Sequence, residues 1–145
     1  MTYGYFSKPY YDEYWYSANY RLGNCYELVT WCDKVYYDFY PKNQENRRKF
    51  LKYILKNLKS GDVLYLFTLI DLPKTKERFI KVLNILLSKS VELGTFYGKV
   101  NIELLLDYII ENGLNMNQIT KFIRNLENYD KDLNDSLKIY ERKAD

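Results

Sequence analysis

The chain has 145 residues, of which 47% are hydrophobic and 18% aromatic, and 17 of them are tyrosines. That length and apolar content support one domain with a single hydrophobic core and exclude two. The net charge is only +3 and histidine is absent, which excludes a strongly basic nucleic-acid-binding domain and catalysis by the usual Ser-His or Cys-His pairs.

Strands and helices alternate along the first hundred residues. Apolar and β-branched runs predict strands over Thr2–Phe6, Val35–Phe39, Val63–Phe67 and Val91–Tyr97. Helical spacing predicts helices from Leu22 to Cys32, from Phe50 to Leu58, and from Thr75, as the N-cap, to Leu87. This order is typical of parallel βαβ units, so we expect an α/β fold: a three-layer sandwich with a central, mainly parallel sheet.

The last third of the chain is predicted to be helical. A short helix is expected from Leu104 to Ile110, ended by Gly113, and one long helix from Met116 to Lys143. Apolar residues recur along the long helix every three or four positions, at Ile119, Phe122, Ile123, Leu126, Tyr129, Leu133, Leu137 and Tyr140. We therefore expect an α/β core over residues 1–100 and a helical C-terminal segment over residues 101–145, within a single domain.

No apolar run approaches the roughly 20 residues of a membrane span, and the start of the chain lacks the pattern of a signal peptide. We expect a cytoplasmic protein without membrane association. Cys25 and Cys32 are seven residues apart, which is too distant for a disulfide on a helix. They are expected to be small, reduced core residues.

Six segments, in order, resemble the catalytic domain of serine recombinases, the resolvases and invertases. They are Gly4-Tyr5 after a β-run, Lys34 to Asp38, Asn46 to Phe50, the L-x-x-G-D-x-L stretch from Leu58 to Leu64, Leu69 to Thr75, and Tyr140 to Ala144. The resemblance implies a resolvase-like fold with a long dimerisation helix. It also implies DNA cleavage by a serine hydroxyl, with several arginines stabilising the charge on the phosphate.

Most of the residues that such cleavage requires are replaced. Carried over by position, the nucleophilic serine falls on Pro9 and the arginine before it on Ser7. The family's Asp-Arg pair falls on Ile70 and Asp71, and a second arginine on Lys74; among these positions, only Arg47 keeps the residue type. The carboxylate of Asp71, at a position where the family has an arginine, would repel the phosphate of DNA. The sequence therefore predicts an inactive catalytic site with no cofactor and no metal, although Ser7 as a displaced nucleophile is an alternative.

Two kinds of binding surface are candidates. The apolar stripe predicts a homodimer through Ile123, Leu126, Tyr129 and Leu133, unless the helix folds back on its own sheet. Possible anion or nucleic-acid contacts are Arg47, Lys74, Lys76 and Arg78, unless these are solvated charges. The aromatic residues Tyr10, Tyr11, Tyr14, Trp15 and Tyr16 could stack on bases, bind a protein or pack on their own domain.

Three functions remain open at this point. The first is a catalytically inactive, self-associating interaction or regulatory protein in the DNA transactions of a mobile element, plasmid or virus. In that case we expect the partner to be a protein of a DNA-processing complex, no DNA-binding module, and DNA binding that is weak or indirect. The second is a weakly active recombinase or DNA-nicking subunit. The third is a nucleic-acid-binding protein that uses the recombinase scaffold.

Overall fold

The computed structural model describes residues 1–9, 31–40, 48–127 and 131–141. Its strands are β1 (Thr2–Pro9), β2 (Lys34–Tyr40), β3 (Val63–Leu66), β4 (Glu92–Thr95), β5 (Gly98–Val100) and β6 (Tyr140–Glu141). Its helices are α1 (Lys49–Asn57), α2 (Lys76–Ser88), α3 (Ile102–Glu111), α4 (Met116–Glu127) and α5 (Lys131–Leu137), with a 3-10 turn at Leu69–Asp71. In this part of the chain no helix is both long enough and apolar enough to cross a membrane.

The strands form one mixed sheet in the order β2-β1-β3-β4-β5-β6. The first four strands are parallel, whereas β5 and β6 run antiparallel to their neighbours. The predicted α/β class is therefore confirmed. β1 lies between β2 and β3, and Gly4 is opposite Val35 on one side and Tyr65 on the other. The chain thus places β2 on one side of β1 and then crosses to place β3 on the other, which makes a topological switch point beside β1.

The hydrophobic core lies on one face of this sheet. Strand residues alternate between the two faces, and the buried strand residues of the main core include Tyr5, Leu64, Leu66 and Leu93. All five described helices contribute apolar side chains to the same core. The sheet and this helical layer account for two layers of the predicted three.

The opposite face carries a smaller cluster, in which Cys32, Tyr65 and Phe67 pack against the buried Phe6. Cys32 is a free thiol, and burial raises its pKa to about 11. The helix predicted from Leu22 to Cys32 lies outside the described residues except for its end, so a second helical layer on this face stays a prediction.

The strand predicted over Val91–Tyr97 is present as β4 but ends two residues earlier than predicted. β4 ends at Thr95, a turn follows at Phe96 and Tyr97, and β5 returns antiparallel to β4 from Gly98. The hydroxyl of Thr95 accepts a hydrogen bond from the backbone N–H of Tyr97 at 3.0 Å. Gly98 has a φ of +132°, which favours glycine. Only the predicted end of the strand was wrong, because Phe96 and Tyr97, which are residue types common in strands, form the turn instead.

Helix boundaries in the middle of the chain follow the sequence more closely. Gly113 ends the helical segment with a φ of +56°, as predicted. Thr75 takes the N-cap position of α2, but its side chain makes no capping hydrogen bond with the described residues. Asn101 caps α3 by accepting a hydrogen bond from the backbone N–H of Leu104 at 3.1 Å.

The helix predicted from Met116 to Lys143 is not continuous to its end. α4 ends at Glu127, α5 ends at Leu137, and β6 occupies Tyr140–Glu141. Lys138 has a φ of +56°, which turns the chain out of the helix. The side chain of Asn134 then hydrogen-bonds both the N–H and the C=O of Tyr140, at 2.8 and 3.0 Å. These contacts hold the last segment as an edge strand.

The apolar stripe of α4 packs on its own domain. Ile123 and Leu126 are 1% and 2% exposed, and both belong to the core on the helical side of the sheet. Leu133 is half-buried against the same core, whereas Tyr129 lies outside the described residues. Ile123 and Leu126 therefore do not form the predicted dimer surface. The alternative prediction, a helix that folds back on its own sheet, holds for these two residues.

Candidate functional site

A cluster of polar side chains lies beside the switch point of the sheet. Ser7 is near the end of β1, Asp38 is on β2, Arg48 immediately precedes α1, and Asp71 follows β3. Their exposed fractions are only 1% to 4%. Open α/β sheets bind ligands at this edge, outside the carboxyl ends of the strands. We call Ser7, Asp38, Arg48 and Asp71 the switch-point cluster.

Arg48 is the central cation of this cluster. Its Nη1 donates to the Ser7 hydroxyl at 2.9 Å and to the backbone carbonyl of Asp71 at 2.5 Å. Its distance to the hydroxyl oxygen of Tyr5 is 3.5 Å. The guanidinium therefore links β1 to the turn after β3 and points into the domain.

Ser7 is held by its neighbours on both sides of the hydroxyl. The hydroxyl donates to the carbonyl oxygen of Asp71 at 2.9 Å and accepts from Arg48. The backbone N–H of Ser7 is 3.3 Å from a carboxylate oxygen of Asp71. The hydroxyl proton of Ser7 is directed at a backbone carbonyl. Among the described residues, no side chain therefore accepts this proton as a general base.

The carboxylate of Asp71 stabilises the turn in which it lies. It accepts from the backbone N–H of Thr68 at 3.2 Å, while the Thr68 hydroxyl accepts from the N–H of Ile70 at 3.2 Å. Together these bonds form a capping box around Leu69–Asp71. A structural carboxylate thus occupies a position where the family resemblance implies an arginine.

Asp38 connects β2 to the start of α1. Its carboxylate accepts from the backbone N–H groups of Phe50 and Leu51, at 3.0 and 3.1 Å. It also accepts from the Tyr5 hydroxyl at 2.7 Å. Burial raises the pKa of Tyr5 far above its usual range, so this hydroxyl keeps its proton and acts as a donor. Asp38 thereby satisfies two N–H groups that the first turn of a helix leaves unpaired.

A second buried carboxylate, Glu127, joins α4 to the sheet. It accepts from the Thr68 hydroxyl in a very short hydrogen bond, from the N–H of Leu69 at 3.1 Å and from the Tyr140 hydroxyl at 2.7 Å. Its exposed fraction is 8%. Burial raises the pKa of Glu127, and the nearby Asp71 carboxylate raises it further.

The residues predicted from the sequence are only partly brought together. Ser7 and Asp71 lie in the cluster, Ile70 is half-buried in the adjoining turn, and Lys74 is exposed beyond it. Lys76 and Arg78, at the start of α2, make no hydrogen bond with the described cluster residues. Arg47, the side chain of Pro9 and the aromatic positions from Tyr10 to Tyr16 lie outside the described residues.

Asp38, Arg48 and Glu127 are the contributors that sequence reasoning missed. The sequence does not distinguish Arg48 from its neighbour Arg47, because it does not show that Arg48 immediately precedes α1 and bonds inward. Glu127 lies in a stretch that holds charges of both signs, so the sequence does not mark it as buried. The signal that could have found it is its position four residues after the apolar Ile123, on the same side of a helix.

No protein-family model matches the chain, and no curated protein sequence matches it. The features of the chain that bear on function are the segments that resemble serine recombinases and the geometry of the switch-point cluster. That geometry holds one guanidinium and two carboxylates in a buried network. In it, each described polar group contacts other groups of the protein.

The raised pKa of Glu127 predicts a pH dependence of stability. The folded protein holds this proton more tightly than the unfolded chain does. The stabilising contribution is thus complete below the ordinary value of 4.5 and is lost as the pH rises through the raised pKa. We expect the free energy of unfolding to fall across that window in the wild type and to fall less in Glu127→Gln.

Urea denaturation between about pH 4 and about pH 8 would measure the difference between the two proteins. Glu103→Gln, which removes an exposed carboxylate from α3, is the matched control and should follow the wild type. Parallel pH profiles for the wild type and Glu127→Gln would contradict the assignment.

Proposed function

We propose that the protein is a catalytically inactive domain similar to the serine recombinase catalytic domain. It acts as a self-associating interaction or regulatory protein in the DNA transactions of a mobile element, plasmid or virus. The main observation in favour of an inactive catalytic site is the buried contact of the Ser7 hydroxyl with Arg48 and with the backbone carbonyl of Asp71.

The chemistry of DNA cleavage supports this proposal. Phosphoryl transfer needs an accessible nucleophile and positive charge directed at the phosphate. Here Ser7 is only 4% exposed. Arg48 is 3% exposed, and its guanidinium donates to the backbone carbonyl of Asp71 inside the domain. Asp71 adds a negative charge where a phosphate oxygen would need a cation. The residue types and their placement agree in disfavouring catalysis.

Incubation with supercoiled DNA tests the inactive site. We expect neither nicked DNA nor a covalent protein–DNA linkage, and no difference between the wild type and Ser7→Ala. A covalent linkage that Ser7→Ala abolishes would contradict the proposal and would instead support the alternative of a weakly active recombinase. An active serine recombinase assayed in parallel shows that the DNA is cleavable.

Self-association, as part of this proposal, requires a surface other than the buried stripe of α4. On the sheet face opposite the helices, Trp31 and Phe96 are 57% and 50% exposed. We call this surface the aromatic face. Trp31 lies edge-on to Tyr65 at 6.1 Å between ring centroids, and Phe96 stacks on Phe67 at 5.9 Å.

The proposed occupant of the aromatic face is a second copy of the chain. A groove of about 880 Å³ crosses this face, and its lining includes Trp31, Gly94, Phe96, Lys99 and Glu141. The Nζ of Lys99 lies 3.2 Å from a carboxylate oxygen of Glu92 on the same face. A two-fold interface brings the same surface of two copies together, and a surface with both signs of charge allows each lysine to meet a carboxylate of the other copy. Because carboxylates outnumber lysine here, the face suits a protein better than a phosphate backbone.

Light scattering at high micromolar concentration tests this surface. We expect a dimer in the wild type and a weakening of dimerisation by about tenfold or more in Trp31→Ser/Phe96→Ser. Ile110→Ser removes a side chain that is 62% exposed on α3, and this control should leave dimerisation unchanged. A monomeric wild type, or a dimer that survives the double substitution, would contradict the proposal.

A further inference from the structure

A small pocket lies between the turn after β3, α2 and the first half of α4. Its volume is about 220 Å³. The floor is apolar and comprises Leu69, Leu72, Phe79 and Ile123, each of which is almost fully buried. The pocket is separate from the switch-point cluster and from the aromatic face.

One wall of this pocket is polar and cationic. Asn117, Thr120 and Arg124 line it from α4. Their spacing of three and four residues places them on one side of the helix. The side chains of Thr120 and Arg124 make no hydrogen bond or ion pair with other residues that the structure describes. Lys74 lines the pocket from the loop before α2 and adds a second cation.

We propose that this pocket binds a short aliphatic carboxylate. The buried floor offers apolar contact to a hydrocarbon chain, and the guanidinium of Arg124 offers paired N–H donors to a carboxylate. At about 30 Å³ for each non-hydrogen atom, the volume accommodates about seven atoms. Pentanoate and hexanoate are ligands of this size.

The walls of the pocket are fixed before any ligand arrives. Glu127 lies one helical turn beyond Arg124 and Ile123, and it hydrogen-bonds the backbone of Leu69 and the hydroxyl of Thr68. These bonds hold α4 against the turn that supplies part of the floor. In a preformed pocket, little of the binding free energy is lost in ordering the walls when a ligand binds. This site is independent of the proposed function.

Isothermal titration calorimetry of the whole chain with a series from butanoate to decanoate tests the ligand class. We expect saturable 1:1 binding with a Kd of about 1 mM and an optimum near pentanoate or hexanoate. Hexanol and hexylammonium should bind about tenfold more weakly or not at all, because neither offers Arg124 a negative charge and two acceptor oxygens. Equal binding of hexanol, or no saturable binding of hexanoate by about 10 mM, would overturn the proposal.

Variants on α4 place the ligand in this pocket. Arg124→Gln should weaken hexanoate binding about tenfold or more, whereas Lys121→Gln, an equal charge change at an exposed position of the same helix, should leave it unchanged. Thr120→Met keeps every charge but fills the cavity, so it should also weaken binding. Thermal unfolding of each variant checks that the fold is kept. Wild-type affinity in both Arg124→Gln and Thr120→Met would overturn the assignment.

Discussion

Replacing Arg48 by methionine is expected to lower the free energy of unfolding by about 3–5 kcal/mol. Methionine keeps an unbranched, flexible chain but removes the guanidinium that bonds the Ser7 hydroxyl and the Asp71 carbonyl. It also removes the positive charge of the switch-point cluster, in which the carboxylates of Asp38 and Asp71 are buried. Removing one partner from a buried charged network costs more than the network itself contributes.

Urea denaturation measures this loss, and Lys49→Met is the control. Lys49 is the next residue along the chain and is exposed on the first turn of α1, so its replacement should change stability by less than about 0.5 kcal/mol. A change of less than about 1 kcal/mol in Arg48→Met would show that the guanidinium is not the centre of the network.

Asp38→Ala is expected to lower the free energy of unfolding by about 3 kcal/mol. The substitution removes the acceptor of the Tyr5 hydroxyl and of the first N–H groups of α1. Asp38→Asn should cost less, about 1–2 kcal/mol, because the amide oxygen still accepts hydrogen bonds from some of these donors.

The control for Asp38 is Asp33→Ala. The Asp33 carboxylate also accepts a backbone hydrogen bond, from the N–H of Thr2 at 2.8 Å, but this bond is exposed to solvent. Water replaces the lost acceptor there, so the expected cost is below about 1 kcal/mol. Chemical denaturation of the three variants gives the ranking. Equal losses in Asp38→Ala and Asp33→Ala would contradict the role of burial at Asp38.

Much of the sheet could be predicted from the sequence. The apolar runs that begin near Thr2, Val35 and Val63 are the parallel strands β1, β2 and β3. Local signals were sufficient because each run is bounded by residues that change the backbone direction, such as Gly61 with a φ of +88° before β3. The α/β class follows from the alternation of these runs with amphipathic helices.

The end of the fold could not be predicted because tertiary contacts override a helical pattern there. The apolar spacing continues through Leu133, Leu137 and Tyr140, and no Gly or Pro marks an end. The break depends on Lys138 in a left-handed conformation and on the side chain of Asn134 bonding the backbone of Tyr140. Both are consequences of docking to β5, which a local pattern does not contain.

The sequence predicted some residues of the candidate site but not the contacts between them. Ser7 and Asp71 were identified as replacements of reactive residues, and they do lie together beside the switch point. The sequence could not show that Arg48 enters the cluster. Nor could it show that Glu127 binds the turn after β3, because burial depends on how the helices pack across the sheet.

The two-residue strand β6 has a consequence for solubility. It pairs with Lys99 and Val100 of β5 and thereby covers a strand edge that would otherwise present free backbone groups. The edge that β6 itself presents is only two residues long and includes the charged Glu141. Short, charged edges are poor templates for strand addition by other molecules. β6 thus protects the β5 edge of the sheet, although not the opposite edge at β2, against edge-to-edge pairing.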